Sequence, residues 1–289
     1  MIQSVVPLLD HIVVLIPHSF LASPPQWFVD LFTYFPGGQH ADRLTENTLV
    51  LLPDGSYIEF IAFVPGIDPE KREGHKWGKA REGTVIDWAL TLPGSAGDGL
   101  GEQTRAFVKI QEAVRETGTG IIYGDLVAGG RHRPDGQQLK WAVAGAYRDR
   151  DGRLEAVDPG QLPFWCLDDT KRELRVPYIK PGVSQHPTGA VGVALVSVTP
   201  DDQAEAERLD KAYGAILGGD EAESDSIWDL KTLAGEALHA GGQVRLGAAA
   251  DKARLSISLF TGSGAFVGKK VGGKVTDDVS LEFEFIAAK

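Results

Sequence analysis

The sequence predicts an α+β protein built from three copies of a βαβββ module. The order of strand, helix and further strands occurs three times, and apolar residues recur at helical spacing in each predicted helix. A second observation supports the repeat, because Ile58-Glu59-Phe60-Ile61 closely matches Phe283-Glu284-Phe285-Ile286. One module has a single apolar sheet face that it cannot bury alone, so we expect modules to pair.

The first module begins with a strand at Leu9 to Ile16, which is apolar and β-branched like a largely buried strand. Ser23-Pro24-Pro25 is typical of a helix start, and we expect that helix to end at Gly37-Gly38. A β-hairpin follows, with strands at Thr48 to Leu52 and Tyr57 to Phe63.

The second module repeats this order from a strand at Thr84 to Leu92. Its helix has Phe107, Ile110 and Val114 on one face. A long polar segment, Arg148 to Gly160, interrupts the strands that follow, which we predict at Ile121 to Val127, Leu139 to Val143 and Pro163 to Leu167.

The third module opens with a strand at Val191 to Val198 and a helix at Asp201 to Leu217. Further strands are predicted later in this segment, at Ile227 to Leu230, Val244 to Leu246, Leu255 to Phe260 and Val279 to Ile286.

Two stretches rich in proline and charge, Val64 to Gly83 and Glu173 to Thr188, are the expected joints between modules. The predicted domains are residues 1–83, residues 84–185, which pair with the first, and residues 186–289, a divergent third module. Because three is an odd number for modules that pair, the third either covers the first two or pairs with its copy in a homodimer.

The composition is that of an ordinary soluble globular protein, with 289 residues, 43% hydrophobic and 24% charged. A net charge of -11 argues against nucleic acid or an anionic membrane as the partner, whereas a small molecule, including an anionic one, fits. Cys166 is the single cysteine, which excludes an intramolecular disulfide and a cysteine-built metal site. The N-terminus resembles neither a signal peptide nor a membrane span, so we expect a cytoplasmic protein.

An ordered set of short motifs resembles the glyoxalase-like domain proteins of the glyoxalase, bleomycin-resistance and extradiol-dioxygenase (vicinal oxygen chelate) superfamily. The similarity runs from Leu8 to about Val198 and includes Leu9-Asp10-His11-Ile12-Val13-Val14, Gly37-Gly38-Gln39-His40, Tyr57-Ile58-Glu59, Arg131-His132-Arg133-Pro134-Asp135-Gly136 and His186-Pro187-Thr188-Gly189-Ala190. The resemblance implies paired βαβββ modules that form a curved, cup-shaped mixed sheet around a cleft, with the helices outside. Members of that superfamily include lyases, isomerases, epimerases, ring-cleaving dioxygenases and non-catalytic drug-binding proteins, so the fold alone does not give the function.

In the metal enzymes of that superfamily, each of two modules supplies one ligand from its first strand and one from its last. The first module here matches that pattern with His11 and Glu59. The second has Trp88 at the position expected for the second histidine and no ligand type on its closing strand, Phe164 to Cys166.

Three hypotheses for His11 and Glu59 stay open. The pair holds one divalent metal, with His40, Glu282 or Glu284 completing the shell; imidazole and carboxylate suit Zn, Mn, Fe or Ni. Alternatively the pair is a metal-free acid–base couple, in which Glu59 orients the imidazole or shares its proton. In the third hypothesis His11 is a hydrogen-bonded core residue beside Glu59.

Other residues are candidates for substrate binding because they combine polar or aromatic side chains with positions near the predicted cleft. An arginine pair binds a carboxylate or enolate in a bidentate manner, although it equally serves to hold a hairpin. Tryptophans facing the cup would favour an aromatic ligand, although they are more often core residues. The candidates are His40, Asn47, Trp88, Arg131, Arg133, Trp141 and Trp165.

The leading hypothesis is therefore a proton-transfer isomerase or lyase that acts on a small oxygenated, aromatic or non-aromatic, organic molecule through His11 and Glu59, with or without a metal. The alternative is a non-catalytic protein that sequesters an apolar or aromatic compound in the same cup. A third hypothesis, an Fe(II) ring-cleaving dioxygenase, requires a second histidine from a loop.

Overall fold

The structure is a computed structural model, and it describes residues 6–94, 100–133, 135–218, 226–234, 241–247 and 253–288. Pro134 of the predicted hairpin turn lies outside these residues. The helices are α1 His18–Ala22, α2 Gln26–Leu31, α3 Pro69–Gly74, α4 Gly101–Glu116, α5 Arg172–Arg175 and α6 Gln203–Leu217.

The strands are β1 Leu8–Leu15, β2 Phe35–Gln39, β3 Thr45–Leu51, β4 Tyr57–Phe63, β5 Thr84–Thr91, β6 Ile121–Tyr123, β7 Val127–His132, β8 Gln138–Ala144, β9 Ala146–Arg150, β10 Arg153–Ala156, β11 Phe164–Asp168, β12 Ala190–Val198, β13 Ile227–Leu230, β14 Gly242–Leu246, β15 Leu255–Thr261, β16 Lys270–Lys274 and β17 Ser280–Ala287.

The N-terminal sheet has eight strands in the order β2-β3-β4-β1-β5-β11-β8-β7. The first strands of the two modules, β1 and β5, pair antiparallel, and each pairs parallel with the closing strand of its own module, β4 or β11. The two edge strands approach each other, because Arg131 on β7 donates a hydrogen bond to the carbonyl of Gly37 on β2. The sheet is therefore a nearly closed cup, and the predicted α+β fold with a curved mixed sheet is confirmed.

Strand β1 is buried on both faces, and apart from Asp10 and His11 it is apolar. Ile12 and Val14 belong to the large cluster on the helix side of the sheet, whereas Val13 and Leu15 belong to a smaller cluster inside the cup. Alternating side chains of one strand thus serve two cores.

The C-terminal sheet has six strands in the order β13-β14-β12-β15-β17-β16. Its two central strands, β12 and β15, pair antiparallel, and each pairs parallel with a closing strand, β14 or β17. This is the arrangement of β1 and β5 with β4 and β11. The strands of the C-terminal segment thus group around two central strands, and they satisfy the need for pairing inside one chain.

The large core lies where the helices meet both sheets. Phe107 and Val114 of α4 and Leu209 and Tyr213 of α6 belong to the same buried cluster as residues of β1 and β12. Helix α6 begins at Gln203, two residues after the predicted start, and the side chain of Asp202 caps it by accepting a hydrogen bond from the Glu205 amide. Within the described parts of the chain, no helix is long and apolar enough to cross a membrane.

The first helix is shorter than predicted. The helix predicted after Ser23 is α2, which ends at Leu31, whereas Gly37-Gly38, the expected helix end, lies in strand β2. Helix α1 comes before the predicted start. The physical reason is strand pairing, because Phe35 and Gln39 are needed opposite Leu49 and Glu46 of β3.

The predicted strand at Ile121 to Val127 is also divided. Its first half, β6, pairs with β9 in a separate three-stranded sheet with β10, and β7 begins only at Val127. The long polar segment is therefore partly strand, since β10 and part of β9 lie within it.

Candidate functional site

The cup encloses a cleft of about 340 Å³, to which both N-terminal modules contribute. The residues that matter for its chemistry are polar on the first module and mostly apolar on the second. They are His11, His40, Asn47, Tyr57 and Glu59 on one side, and Arg131, Trp141, Phe164, Cys166 and Arg175 on the other, with Lys76 and Trp77 from the joint between the modules.

His11 is held by the residue next to it in the chain. The pairing of β1 with β5 shifts by one residue between Leu9 and His11, so Asp10 is the extra residue of a β-bulge. The bulge brings the Asp10 carboxylate to 2.6 Å from His11 Nδ1. One face of the imidazole ring stacks on the ring of Tyr57, with ring centroids 4.6 Å apart. Both ring position and ring orientation are therefore fixed.

Asp10 is fully buried and is paired with two arginines that follow β11. Arg175 donates to both Asp10 oxygens, at 3.1 and 3.0 Å, and Arg172 donates to one of them. Burial alone would raise the pKa of Asp10, but the two arginines and the bond from His11 lower it well below the usual value. Because an ionised carboxylate has no proton to donate, His11 Nδ1 is the donor in this bond, and Nε2 is the ring nitrogen on the side of Glu59 and the cleft.

Glu59 lies between two imidazoles. Its Oε2 is 3.6 Å from His11 Nε2, and its Oε1 is 3.6 Å from His40 Nε2. Asn47 donates from Nδ2 to Oε1 at 2.5 Å. Burial would raise the pKa of Glu59, but His40, His11, the Asn47 amide and Arg131 together lower it, so the group is a carboxylate at neutral pH.

His40 completes this row from the loop after β2. Its Nδ1 is 2.7 Å from the Thr45 hydroxyl, and its ring lies edge-on to Trp141 with centroids 6.3 Å apart. Three side chains proposed from sequence, His11, Glu59 and His40, thus come together with Asn47 on one wall of the cleft.

The strand register identifies which residues of the second module correspond to His11 and Glu59. His11 lies opposite Tyr57 in the β1–β4 pair, and Ala89 lies opposite Phe164 in the β5–β11 pair. The residue two positions after Tyr57 is Glu59, and the residue two positions after Phe164 is Cys166. Ala89 has no donor atom, and burial raises the pKa of the Cys166 thiol, which therefore stays protonated.

The donor set consequently does not fit the four-ligand metal site of the superfamily. Neither Ala89 nor Cys166 supplies a ligand, because metals bind the thiolate and not the thiol. The two oxygens of Glu59 face different imidazoles, and Asn47 donates to one of them. Across the described ranges, no group of three or more His, Cys, Asp or Glu side chains is placed to hold a metal ion.

Glu282 and Glu284, proposed as further ligands, lie far from His11 in the fold. Both are on β17 and line a different cavity, on the C-terminal sheet, together with Ser197 and Arg245. They cannot complete a shell with His11 and Glu59, because β17 belongs to the other sheet.

Trp88 and Trp165 do not line the cleft, which corrects the expectation that they face the cup. Both are fully buried on the helix side of the sheet, where Trp88 stacks on Tyr213 and Trp165 packs against Phe107. The sequence comparison aligned Trp88 with His11, whereas the register pairs His11 with Ala89. A shift of one residue moves a side chain to the other face of a sheet.

The two proposed arginines also separate. Arg131 lines the cleft, but Arg133 lies outside it and pairs with Asp135 at 2.6 Å and with the Leu174 carbonyl. Arg133 therefore holds the turn between β7 and β8, which was the alternative explanation for the pair.

Several cleft residues were not assigned a role from the sequence. Trp77 lies in the predicted joint Val64 to Gly83, where it is buried and donates from Nε1 to Asp87 at 2.8 Å. The Lys76 ammonium lies 3.5 Å from the centroid of the Phe164 ring and 3.1 Å from Asp87. One sequence signal could have indicated such interactions. Asp10 and Asp87 each lie within an otherwise largely apolar strand, where a carboxylate needs a hydrogen-bond or ion-pair partner.

Comparison with known proteins agrees with this architecture. The profile of a family described as glyoxalase-like domain matches residues 9–214. A hypothetical protein from Staphylococcus aureus has a similar structure, with a TM-score of 0.59 at 12% identity, over 97% of this chain and 100% of that chain. No curated protein matches significantly.

Two weaker structural similarities are to enzymes. Methylmalonyl-CoA epimerase from Mycobacterium tuberculosis gives a TM-score of 0.32 at 13% identity, over 60% of this chain and 95% of that chain. BphC, a halotolerant catechol dioxygenase, gives 0.43 at 9% identity, over 98% of this chain and 88% of that chain.

Proposed function

The chain belongs to the glyoxalase-like domain family, and from this membership and the geometry of the cleft we propose that it is an isomerase or lyase that moves a proton on a small oxygenated organic molecule. The observation that carries the proposal is the buried Asp10–His11 pair. Nε2 of His11, the ring nitrogen that Asp10 does not bind, faces Glu59 and the cleft.

His11 is the proposed base. Its Nε2 accepts a proton from a carbon next to a carbonyl group, and the electron pair of that C–H bond moves onto the carbonyl oxygen to give an enolate. The imidazolium that forms lies between two carboxylates, Asp10 at Nδ1 and Glu59 at Nε2, and both stabilise its charge. Return of the proton to the same or a neighbouring carbon gives isomerisation, and departure of a neighbouring group gives a lyase reaction.

Glu59 and His40 provide a second route for the proton. Glu59 is 3.6 Å from both imidazoles, so small movements bring either ring into hydrogen-bond distance of the carboxylate. Glu59 is ionised in the resting site, and because its pKa is lowered it would pass a proton between the two rings and not keep it. No step is assigned to a metal, because the donor set does not fit one.

The proposal is tested by solvent deuterium exchange, which needs no knowledge of the product. The protein is incubated in D₂O with small enolisable 2-oxo acids, 2-hydroxy ketones and esters, and NMR follows loss of the α-proton signal. We expect His11→Gln to lower the exchange rate roughly 100-fold to 10,000-fold. His132→Gln, an exposed histidine of β7, is the matched control and should leave the rate unchanged.

Exchange that is equally fast in the wild type and in His11→Gln would contradict the proposal. Binding of these compounds without any exchange would favour the second candidate, a non-catalytic binding protein. One observation supports that candidate, namely the apolar second wall, where Ala89 and Cys166 correspond to the polar pair of the first module.

A further inference from the structure

We propose that the ligand of this cleft is a planar aromatic or conjugated anion, whose carboxylate-type oxygens bind Arg131 and whose ring lies against Trp141 and Phe164. The inference concerns the same cleft as the proposed function and names its ligand class. It does not depend on whether His11 moves a proton, and it can be tested separately.

Arg131 is a buried cation that has no counter-ion in the part of the chain that the structure describes. Its side chain lines the cleft, and the residue is only 4% exposed. Its one hydrogen bond to the described residues goes from Nη1 to the Gly37 carbonyl, and none of their carboxylates is within 4.0 Å of its guanidinium. Burial lowers the pKa of Arg131, and it outweighs the opposite effects of Tyr57 and Glu59.

The other strongly buried arginines of the same cup are paired. Arg175 forms ion pairs with Asp10 and Asp168 at 3.0 and 2.6 Å, and Arg172 pairs with the same two aspartates. A buried charge is costly unless it is paired, so one unpaired arginine among paired ones indicates that its partner arrives from outside. Glu59 is a carboxylate of the same cleft whose charge acts on Arg131. It forms no ion pair with Arg131, because its oxygens face His11, His40 and Asn47.

The orientation of Arg131 is fixed before any ligand binds. The bond from Nη1 to the Gly37 carbonyl holds the guanidinium across the gap between β7 and β2. The remaining N–H groups of a guanidinium held in this way form a planar edge that matches two oxygens of one carboxylate or enolate. Because the Arg131 side chain is already ordered before the ligand binds, less conformational entropy is lost on binding.

The side of the cleft near Arg131 is aromatic, and its Trp141 ring packs flat against a glycine. Trp141 lies over Gly129, where an added Cβ would be 2.6 Å from the indole Nε1. Phe164 lies edge-on to His11, with centroids 5.3 Å apart, and to Trp77, with centroids 6.1 Å apart. Such surfaces favour a planar ring, because aromatic pairs stack or meet edge-on.

The test compares three probes of similar size and different charge: benzoate, benzamide and benzylammonium. Binding is measured by tryptophan fluorescence quenching and by calorimetry at constant ionic strength. Since a charge-assisted pair is worth more than a neutral hydrogen bond, we expect benzoate to bind at least about tenfold more tightly than benzamide and benzylammonium the least.

Arg131→Met should abolish the preference for benzoate over benzamide, and Arg131→Lys should keep part of it, because lysine retains the charge without the planar edge. Arg133→Met is the matched control, two residues further along the chain and outside the cleft, and should keep the wild-type preference.

Equal binding of benzoate and benzamide to the wild type, or no benzoate binding at millimolar concentration, would overturn the inference even if Arg131→Met does not fold. A preference that survives in a folded Arg131→Met protein would overturn it as well. The outcome is separable from the proposed function, since absence of deuterium exchange leaves the probe preference intact and loss of the preference leaves the exchange intact.

Discussion

The two halves of the cup have the same arrangement of four strands in the sheet, but different side chains at equivalent positions. In the first module the register positions hold His11 and Glu59, which Asp10 and Asn47 support through hydrogen bonds. In the second module the equivalent positions hold Ala89 and Cys166. Strand pairing determines where functional groups can meet in the cup. The pairs concerned are β1 with β5 and each first strand with its own closing strand. Which groups stand there is a separate property of each half.

The largest expected effect comes from making the second half like the first. Combining Ala89→His with Cys166→Glu adds the two missing ligand types opposite His11 and Glu59, so the four equivalent register positions would carry two imidazoles and two carboxylates. We expect one equivalent of Zn²⁺ to bind with roughly micromolar affinity, about 8 kcal/mol. Bound metal would also raise the melting temperature, because it binds only the folded state.

Calorimetry and metal analysis after dialysis measure this gain. The control pairs Ala89→Ser with Cys166→Ser, which are polar and supply no such ligands. If the His/Glu double variant is folded and binds no more zinc than the Ser/Ser variant, the register correspondence between the two halves is wrong.

The next effect removes the support of the polar half. Asp10→Asn leaves Arg172 and Arg175 with a neutral partner in a buried position, and breaking such a pair costs about 3–5 kcal/mol. Urea unfolding at pH 7 measures the loss. Asp169→Asn, on an exposed residue just beyond β11, is the control and should change the free energy of unfolding little.

The pH dependence of this network has a definite sign. The folded-state pKa of Asp10 lies well below its usual value, so its contribution to stability is complete above pH 4 and is lost only as the pH falls through the folded pKa. A wild-type protein that loses the stability difference from Asp10→Asn already at pH 6 would contradict this assignment.

Much of the first module could be predicted from the sequence, since β1 and β4 are largely apolar runs that carry His11 and Glu59. The bulge at Asp10 could not be predicted, and it decides both the support of His11 and the phase of β5. For the same reason Trp88 was placed on the wrong face, because a shift of one residue exchanges the two faces of a strand.

The unpaired state of Arg131 was also beyond the sequence. Arg131 and Arg133 are two positions apart in sequence, but Arg131 lies on β7 against β2, whereas Arg133 lies in the turn after β7. Contacts between residues distant in sequence, such as Arg175 with Asp10, depend on the whole sheet and leave no local pattern.

The smallest predicted effect concerns a buried carboxyl of the first module that lacks an arginine partner. Asp54, in the turn before β4, is fully buried, and its Oδ1 accepts bonds from the amide and hydroxyl of Ser56. Its Oδ2 makes no hydrogen bond of ordinary geometry to the described residues, although the Val193 amide is close enough to lower the pKa somewhat. This oxygen lies beside Gly192 of the C-terminal sheet, where an added Cβ would be 2.5 Å from it. Asp10 and Asp54 are thus both buried, and only Asp10 is compensated by a bound cation.

Burial raises the pKa of Asp54 from 3.8 to about 6. Because the folded protein holds the proton more tightly than the unfolded chain, this group's contribution is most favourable below pH 4 and is lost as the pH rises to about 6. The loss is about 3 kcal/mol. Asp54→Asn keeps the acceptor for Ser56 and has no titration, so it should flatten the stability curve between pH 4 and pH 6. Urea unfolding across this range, with Asp68→Asn at the exposed start of α3 as the control, compares the slopes. An equal slope in Asp54→Asn and the wild type would show that Asp54 is compensated after all, and that the contrast with Asp10 does not hold.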